Sequence, residues 1–122
     1  MITLREVDSE ISLQQQMADE TDQVVLVNTF LVPEGRRDAV LAAWTADAEF
    51  MLSRPGCLST QLHEGIGGSH ALVNVAVWTS AAALREAFDD PQFRESLGRY
   101  PDGTISSPHL YRKLAVEGIC AD

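Results

Sequence analysis

The chain has 122 residues, with eighteen Asp and Glu against nine Lys and Arg, a net charge of −9. So acidic a chain has no reserve of cations to neutralise phosphates, which argues against a nucleic-acid binder and against docking on an anionic membrane. A single domain of this length buries only about two-thirds of its unfolded surface, so pairing with a second copy is expected, and Cys57 and Cys120 are too few for a disulfide scaffold.

No apolar run approaches the ~20 residues of a membrane span, and MITLREVDSE lacks the basic start and apolar core of a signal peptide, so a cytoplasmic protein is expected. Residues 1–22 hold six acids and one base, more than half of the excess charge, with little apolar patterning. They read as an acidic arm, either loose in solvent or packed on a partner subunit. From Gln23 the sequence QVVLVNTFLV is β-branched and apolar on both sides, as in a strand covered twice. Pro33-Glu34-Gly35 breaks it. A helix is expected from about Arg36 to Ser53, with Val40, Leu41, Trp44, Ala48, Met51 and Leu52 at helical spacing, stopped by Pro55-Gly56.

CLSTQLHE (57–64) alternates, with Leu58, Thr60 and Leu62 on one side. A turn holding Gly65, Gly67 and Gly68 then leads into ALVNVAVW (71–78), the second half of a hairpin. Thr79 or Ser80 caps a second helix running to about Asp89, with Leu84 and Phe88 inward. Asp90-Pro91 restarts a shorter helical piece. After the turn-rich YPDGTISSP, the stretch His109–Glu117 alternates and is expected to be the last strand, leaving 118–122 as a tail. The domain 23–117 therefore reads β-α-β-β-α-β, the ferredoxin-like α+β arrangement with an antiparallel sheet. Val73, Val75 and Val77 make one side of the third strand wholly valine, so both sheet faces need cover; a twofold dimer with sheets face to face supplies it.

The opposite side of that strand is the informative one. Asn74 and Trp78 are an even number of residues apart and share a face, with the small Ala76 between them. Asn28 interrupts an apolar run on the first strand, where an amide is costly unless bonded. Each alone fits ordinary core duty; together they point to a ligand slot, with Trp44, Ala76 and Phe88 as further substrate-contacting walls. His63 is the titratable group nearest the slot, suited to accept a proton, but its face depends on hairpin register. No phosphate loop, metal-ligand spacing or cysteine nucleophile pattern is present in the sequence.

The blocks VNTF (27–30), RPG (54–56) and VNVAVWTS (73–80) followed by AAALREAF resemble the antibiotic biosynthesis monooxygenase family, in particular the cofactor-independent oxygenases of aromatic polyketide pathways. The likeness spans about Gln23 to Val116 and leaves out the acidic arm. It implies a dimeric α+β barrel whose subunits each bind a small aromatic polyketide between sheet and helices. By motif it implies substrate-lining, activity-determining roles for Asn28, Asn74 and Trp78, with a weaker assignment of His63 as base. It also implies no cofactor, with O2 as co-substrate: the substrate anion passes an electron to O2, the radicals combine, and the peroxide loses water to leave a quinone. A haem-degrading branch carries a His on the second helix, but here Ala87 and Phe88 stand there and no His lies between Trp78 and His109. A non-catalytic barrel that binds a hydrophobic metabolite, or serves as an accessory subunit, is the alternative of a different class.

Overall fold

A computed structural model describes residues 1–121. Alternating β-branched residues make β2 (Val24–Leu31) and β4 (Ala71–Trp78), which pair antiparallel in unbroken register from Val24↔Trp78 to Leu31↔Ala71. β4 also pairs with β3 (Cys57–Glu64), and β2 with β5 (Ile105–Tyr111), while the two-residue β1 (Thr3–Leu4) lies parallel to β5. The order β1-β5-β2-β4-β3 contains the ferredoxin-like sheet, extended by one short strand.

The helices are α1 (Leu13–Met17), α2 (Arg37–Leu52), α3 (Ala81–Asp89) and α4 (Pro91–Ser96), the last continued by a 3₁₀ turn over Leu97–Arg99. Ser80 caps α3 by accepting from the Ala83 N–H at 3.1 Å, and Asp90 caps α4 through the Gln92 N–H at 2.8 Å, with Pro91 at its first turn. No helix among the described residues is long and apolar enough to cross a membrane.

Trp78, Leu72, Leu84 and Val40 are buried between the helices and one sheet face. At the RPG turn a Cβ on Gly56 would overlap Ala83 and touch Trp78 Cε3 at 3.5 Å, so glycine lets this backbone lie against the indole's six-membered ring. The opposite sheet face, with Val25, Val27, Val73, Val75 and Val77, is half-exposed along its valines.

Three expectations change. The last strand runs Ile105–Tyr111 rather than His109–Glu117, because Ser106, Pro108 and Leu110 supply its buried alternation. Ser106 and Leu110 both bond outward from β2, so Pro108 between them also turns its missing N–H to the sheet's edge, where it costs no ladder bond. The arm makes contacts within its own chain. Leu13 and Met17 are buried in the core, and the Gln16 carboxamide stands in for a strand, donating to Leu110 O at 3.0 Å and accepting from Leu110 N at 2.9 Å. It thereby covers part of an otherwise open edge. Finally, an irregularity between Cys57 and Ser59 turns Leu58 out to solvent, away from the side of Thr60 and Leu62. Of the expected tail 118–122, residue 122 lies outside the described residues; Val116 and Cys120 close a small bridge ahead of it.

Candidate active site

Between the helix-covered sheet face and α2 lies a cavity of about 500 Å³, within the range that encloses drug-sized ligands. The sheet supplies its floor. Asn28 and Asn74 stand directly opposite one another on β2 and β4, since the unbroken register pairs them. Each carboxamide oxygen is anchored by a hydroxyl from the next strand out: Ser106 Oγ donates to Asn28 Oδ1 at 3.1 Å, and Thr60 Oγ1 to Asn74 Oδ1 at 2.7 Å. With each oxygen so anchored, the Nδ2 donor of each amide is left without a protein acceptor among the described residues, on a side chain that lines the cavity.

Two pleats along β4, Trp78 adds a third donor. Its side chain is 1% exposed, and its indole Nε1 is buried without an acceptor. A buried unmet N–H costs about 1–3 kcal/mol, a loss recovered by a ligand acceptor only when the packing over the indole edge yields to admit it. Ala76, between Asn74 and Trp78, keeps the floor flat. Trp44 on α2 roofs the cavity, and Phe88, stacked on Phe93 at 4.6 Å, walls it. The arm closes a further side with Ile2 and Leu13. Asn28, Asn74, Trp78, Trp44, Ala76 and Phe88 are thus all brought to one cavity.

His63 is not among them. It pairs with Val73 on the valine face and is exposed, so the sheet itself separates its ring from the cavity. The base suggested at this position is corrected by register: β3 turns Thr60 and Leu62 inward, which puts His63 outward.

The titratable group that does line the cavity is Asp47. It lies on the inward stripe of α2 with Val40, Ala43 and Phe50, and only 7% of it is exposed. Its carboxylate accepts a hydrogen bond from the Ser96 hydroxyl, and the Tyr100 side chain is its neighbour. Burial pushes its pKa above the usual carboxylate value, against the lowering effect of Ser96, Tyr100 and Arg99. Tyr100 is pushed up in turn, by burial and by the neighbouring carboxylate, and so stays a protonated donor. Sequence reading passed over Asp47, although its signal was available: an acid at the 3–4–3 spacing of an otherwise apolar helix stripe.

A family model, antibiotic biosynthesis monooxygenase, matches residues 23–98. Among solved structures, a monooxygenase candidate from Shewanella loihica PV-4 is 37% identical, with a TM-score of 0.67, covering 81% of this chain and all of its own. SnoaB, a cofactor-independent oxygenase from Streptomyces nogalater, is 26% identical, with a TM-score of 0.71, covering 80% of this chain and 99% of its own. A Mycobacterium tuberculosis protein, 21% identical over 79% of this chain and 99% of its own, shares the fold with a TM-score of 0.65. No curated protein matches the sequence. β2, β3, β4 and the helices α2, α3 and α4 fall inside the matched segment, and the chain belongs to the antibiotic biosynthesis monooxygenase family.

Proposed function

We propose that the protein is a cofactor-independent monooxygenase that oxidises a polycyclic aromatic phenol of the anthrone type, an aromatic polyketide, to a quinone with O2, in the cytoplasm. The observation that carries this reading is the set of three donors without protein acceptors among the described residues, Asn28 Nδ2, Asn74 Nδ2 and Trp78 Nε1, on residues along the floor of a mostly apolar cavity. A flat ring system fits between that floor and Trp44, and its carbonyl and phenolic oxygens are the acceptors the floor lacks. The likeness to SnoaB supports oxygenase chemistry without a cofactor.

The reaction asks the protein for positioning and charge stabilisation. An electron-rich anthrone ionises to an anion delocalised onto its oxygens, and donors fixed on a rigid sheet favour that anion. One well-aimed donor to a developing oxyanion is worth about 2.7–4 kcal/mol. The anion transfers an electron to O2, the radical pair combines at carbon, and loss of water from the hydroperoxide leaves the quinone carbonyl. The apolar walls exclude competing water.

We extend the proposal to a homodimer joined through the valine face. At ~25 cal/mol per Å², covering a few hundred Å² of Val25, Val27, Val73, Val75 and Val77 gives several kcal/mol. The test of function is oxygen uptake by metal- and flavin-free protein supplied with a hydroxylated anthrone. Quinone formed faster than in buffer is the expected result. Tight binding with no acceleration would instead make the protein a binder of such metabolites.

A further inference from the structure

We propose that Asp47 is the base of this site, taking the acidic proton of the bound substrate and returning it to the departing oxygen as water. The inference rests on the oxygenase reading and assigns the proton transfers that reading leaves without a residue.

The geometry singles out this carboxyl. The helix stripe that carries it puts it on the roof of the cavity, across from the sheet that carries the three donors. Apart from Cys57, the floor contributes no titratable side chain, since Asn28, Asn74, Thr60 and Ser106 are neutral. From α4, Arg94 and Glu95 line the cavity but are exposed, as befits its mouth. From the segment after α4, Arg99 adds its charge and Tyr100 its phenol. Cys57 has its thiol pushed up by burial, and the Met1 ammonium is paired with Asp102. Asp47 is therefore the one buried acid in contact with the cavity among the described residues.

Its hydrogen bonds suit a group that exchanges a proton. Ser96 Oγ lies within reach of both Asp47 Oδ1 and Phe93 O, the latter at 2.7 Å. A hydroxyl has one proton. When Ser96 donates to Phe93 O, its remaining lone pair accepts from a protonated Asp47; when Asp47 is ionised, Ser96 can turn its proton to the carboxylate. Both states of the carboxyl are thus accommodated without moving the backbone. Burial raises the basicity of the carboxylate toward that of a useful base. A hydrophobic side chain would pack this helix position at less cost, so the placement has a reason in chemistry rather than in stability.

The protons balance. Asp47 takes one proton from the methylene carbon of the anthrone. The carbanion and O2 give the peroxide anion by one-electron transfer and recombination, and that anion takes the proton back from Asp47. Asp47 then removes the second proton from the same carbon as the O–O bond breaks, the C=O forms, and hydroxide leaves. Protonation of that hydroxide by Asp47 gives water and restores the carboxylate. One O2 is reduced by four electrons, two forming water and two the new carbonyl oxygen, and the carbon is oxidised from CH2 to C=O.

The test isolates the first transfer. Under strict anaerobiosis in D2O, the methylene protons of a hydroxylated anthrone exchange with solvent, and the rate is followed by NMR with wild type, Asp47→Asn and Tyr100→Phe. The wild type is expected to speed exchange over buffer, and Asp47→Asn to lose about 10²-fold or more of that rate while binding the anthrone. Tyr100→Phe removes the neighbouring phenol that lowers the Asp47 pKa, so its pH–rate midpoint is expected to move upward. Exchange in Asp47→Asn within twofold of wild type, or no wild-type acceleration, overturns the assignment. If Asp47→Asn does not fold, an unmoved midpoint in Tyr100→Phe overturns it instead. Oxygen uptake is measured separately: wild-type exchange lost in Asp47→Asn, with no oxygen consumed, supports Asp47 as the base and overturns the oxygenase reading.

Discussion

Replacing Trp78 with phenylalanine separates a ligand-binding indole from a space-filling one. In the unliganded protein two effects oppose. Truncating buried Trp or Phe to Ala costs about 3–5 kcal/mol; phenylalanine keeps most of the ring against Gly56 and Ala83, so the packing loss is on the order of 1–2 kcal/mol. Against this, the variant no longer buries an N–H without an acceptor, which recovers about 1–3 kcal/mol. The free variant is therefore expected to match wild-type stability within about 1 kcal/mol. The balance shifts once a ligand oxygen fills the acceptor position, because only the wild type gains the bond. A net loss of about 1–2 kcal/mol corresponds to a 5–30-fold weaker Kd. Urea melts of the free proteins, with calorimetric titration of a hydroxyanthraquinone as an unreactive, product-like ligand, measure both numbers. Equal affinities would refute the idea that the indole N–H serves the ligand. A destabilisation above about 3 kcal/mol in the free variant would show that Trp78 is simply core, since the orphan-donor compensation would be missing.

Three further outcomes follow from the same geometry. Burial raises the Asp47 pKa above its unfolded value, so its contribution is intact below the unfolded pKa and is lost as pH rises through the folded pKa; Asp47→Asn should match wild type in urea near pH 4 and exceed it at pH 8. A difference that does not grow with pH would contradict that direction. Gly56→Ala forces a methyl into Ala83 and should cost about 1–3 kcal/mol, read as a lower urea midpoint. Gln16→Ala removes both bonds to the Leu110 backbone and should cost about 1–2 kcal/mol while exposing the arm to limited proteolysis; an arm as protease-resistant as wild type would argue that the α1 packing alone holds it.

The strands and helices were legible because their signals are local. Alternation and β-branching mark β2 and β4, while caps at Ser80 and Asp90 mark the two later helices. The grouping of Asn74, Ala76 and Trp78 needed only the parity of a strand, and the register then brought Asn28 across from Asn74. Where the outcome hung on how separate strands align, the sequence was silent. His63 falls outside because β3 pairs it with Val73, and Leu58 turns out through a local irregularity that no residue pattern marks. The last strand was misplaced because Pro108 and two serines read as turn residues, whereas an edge position tolerates a missing N–H. Asp47 was overlooked for a different reason: one carboxylate among eighteen acidic side chains carries no mark of burial until its helix face is assigned. Tyr100, Ser96 and Ser106 gain their roles only through partners many residues away.

The acidic arm shows how charge and cavity divide a single segment. Two of its six acids serve its own backbone, Glu6 accepting from Leu13 N at 3.0 Å and Asp8 from Glu10 N at 2.9 Å. Its apolar residues turn inward, with Met17 in the core and Ile2 and Leu13 on the cavity wall. The segment matched to the family, 23–98, holds Asn28, Asn74, Trp78 and Asp47, the donors and the acid to which the proposed reaction assigns roles. Beyond it lie Ile2, Leu13, Tyr100 and Ser106, which close the cavity or set the orientation of those groups. A donor acts through one hydrogen bond, whereas an apolar wall acts through the shape it imposes on the ligand. The family-matched segment therefore carries the groups assigned to the proposed reaction, while the shape of the cavity depends also on segments that the family pattern does not describe.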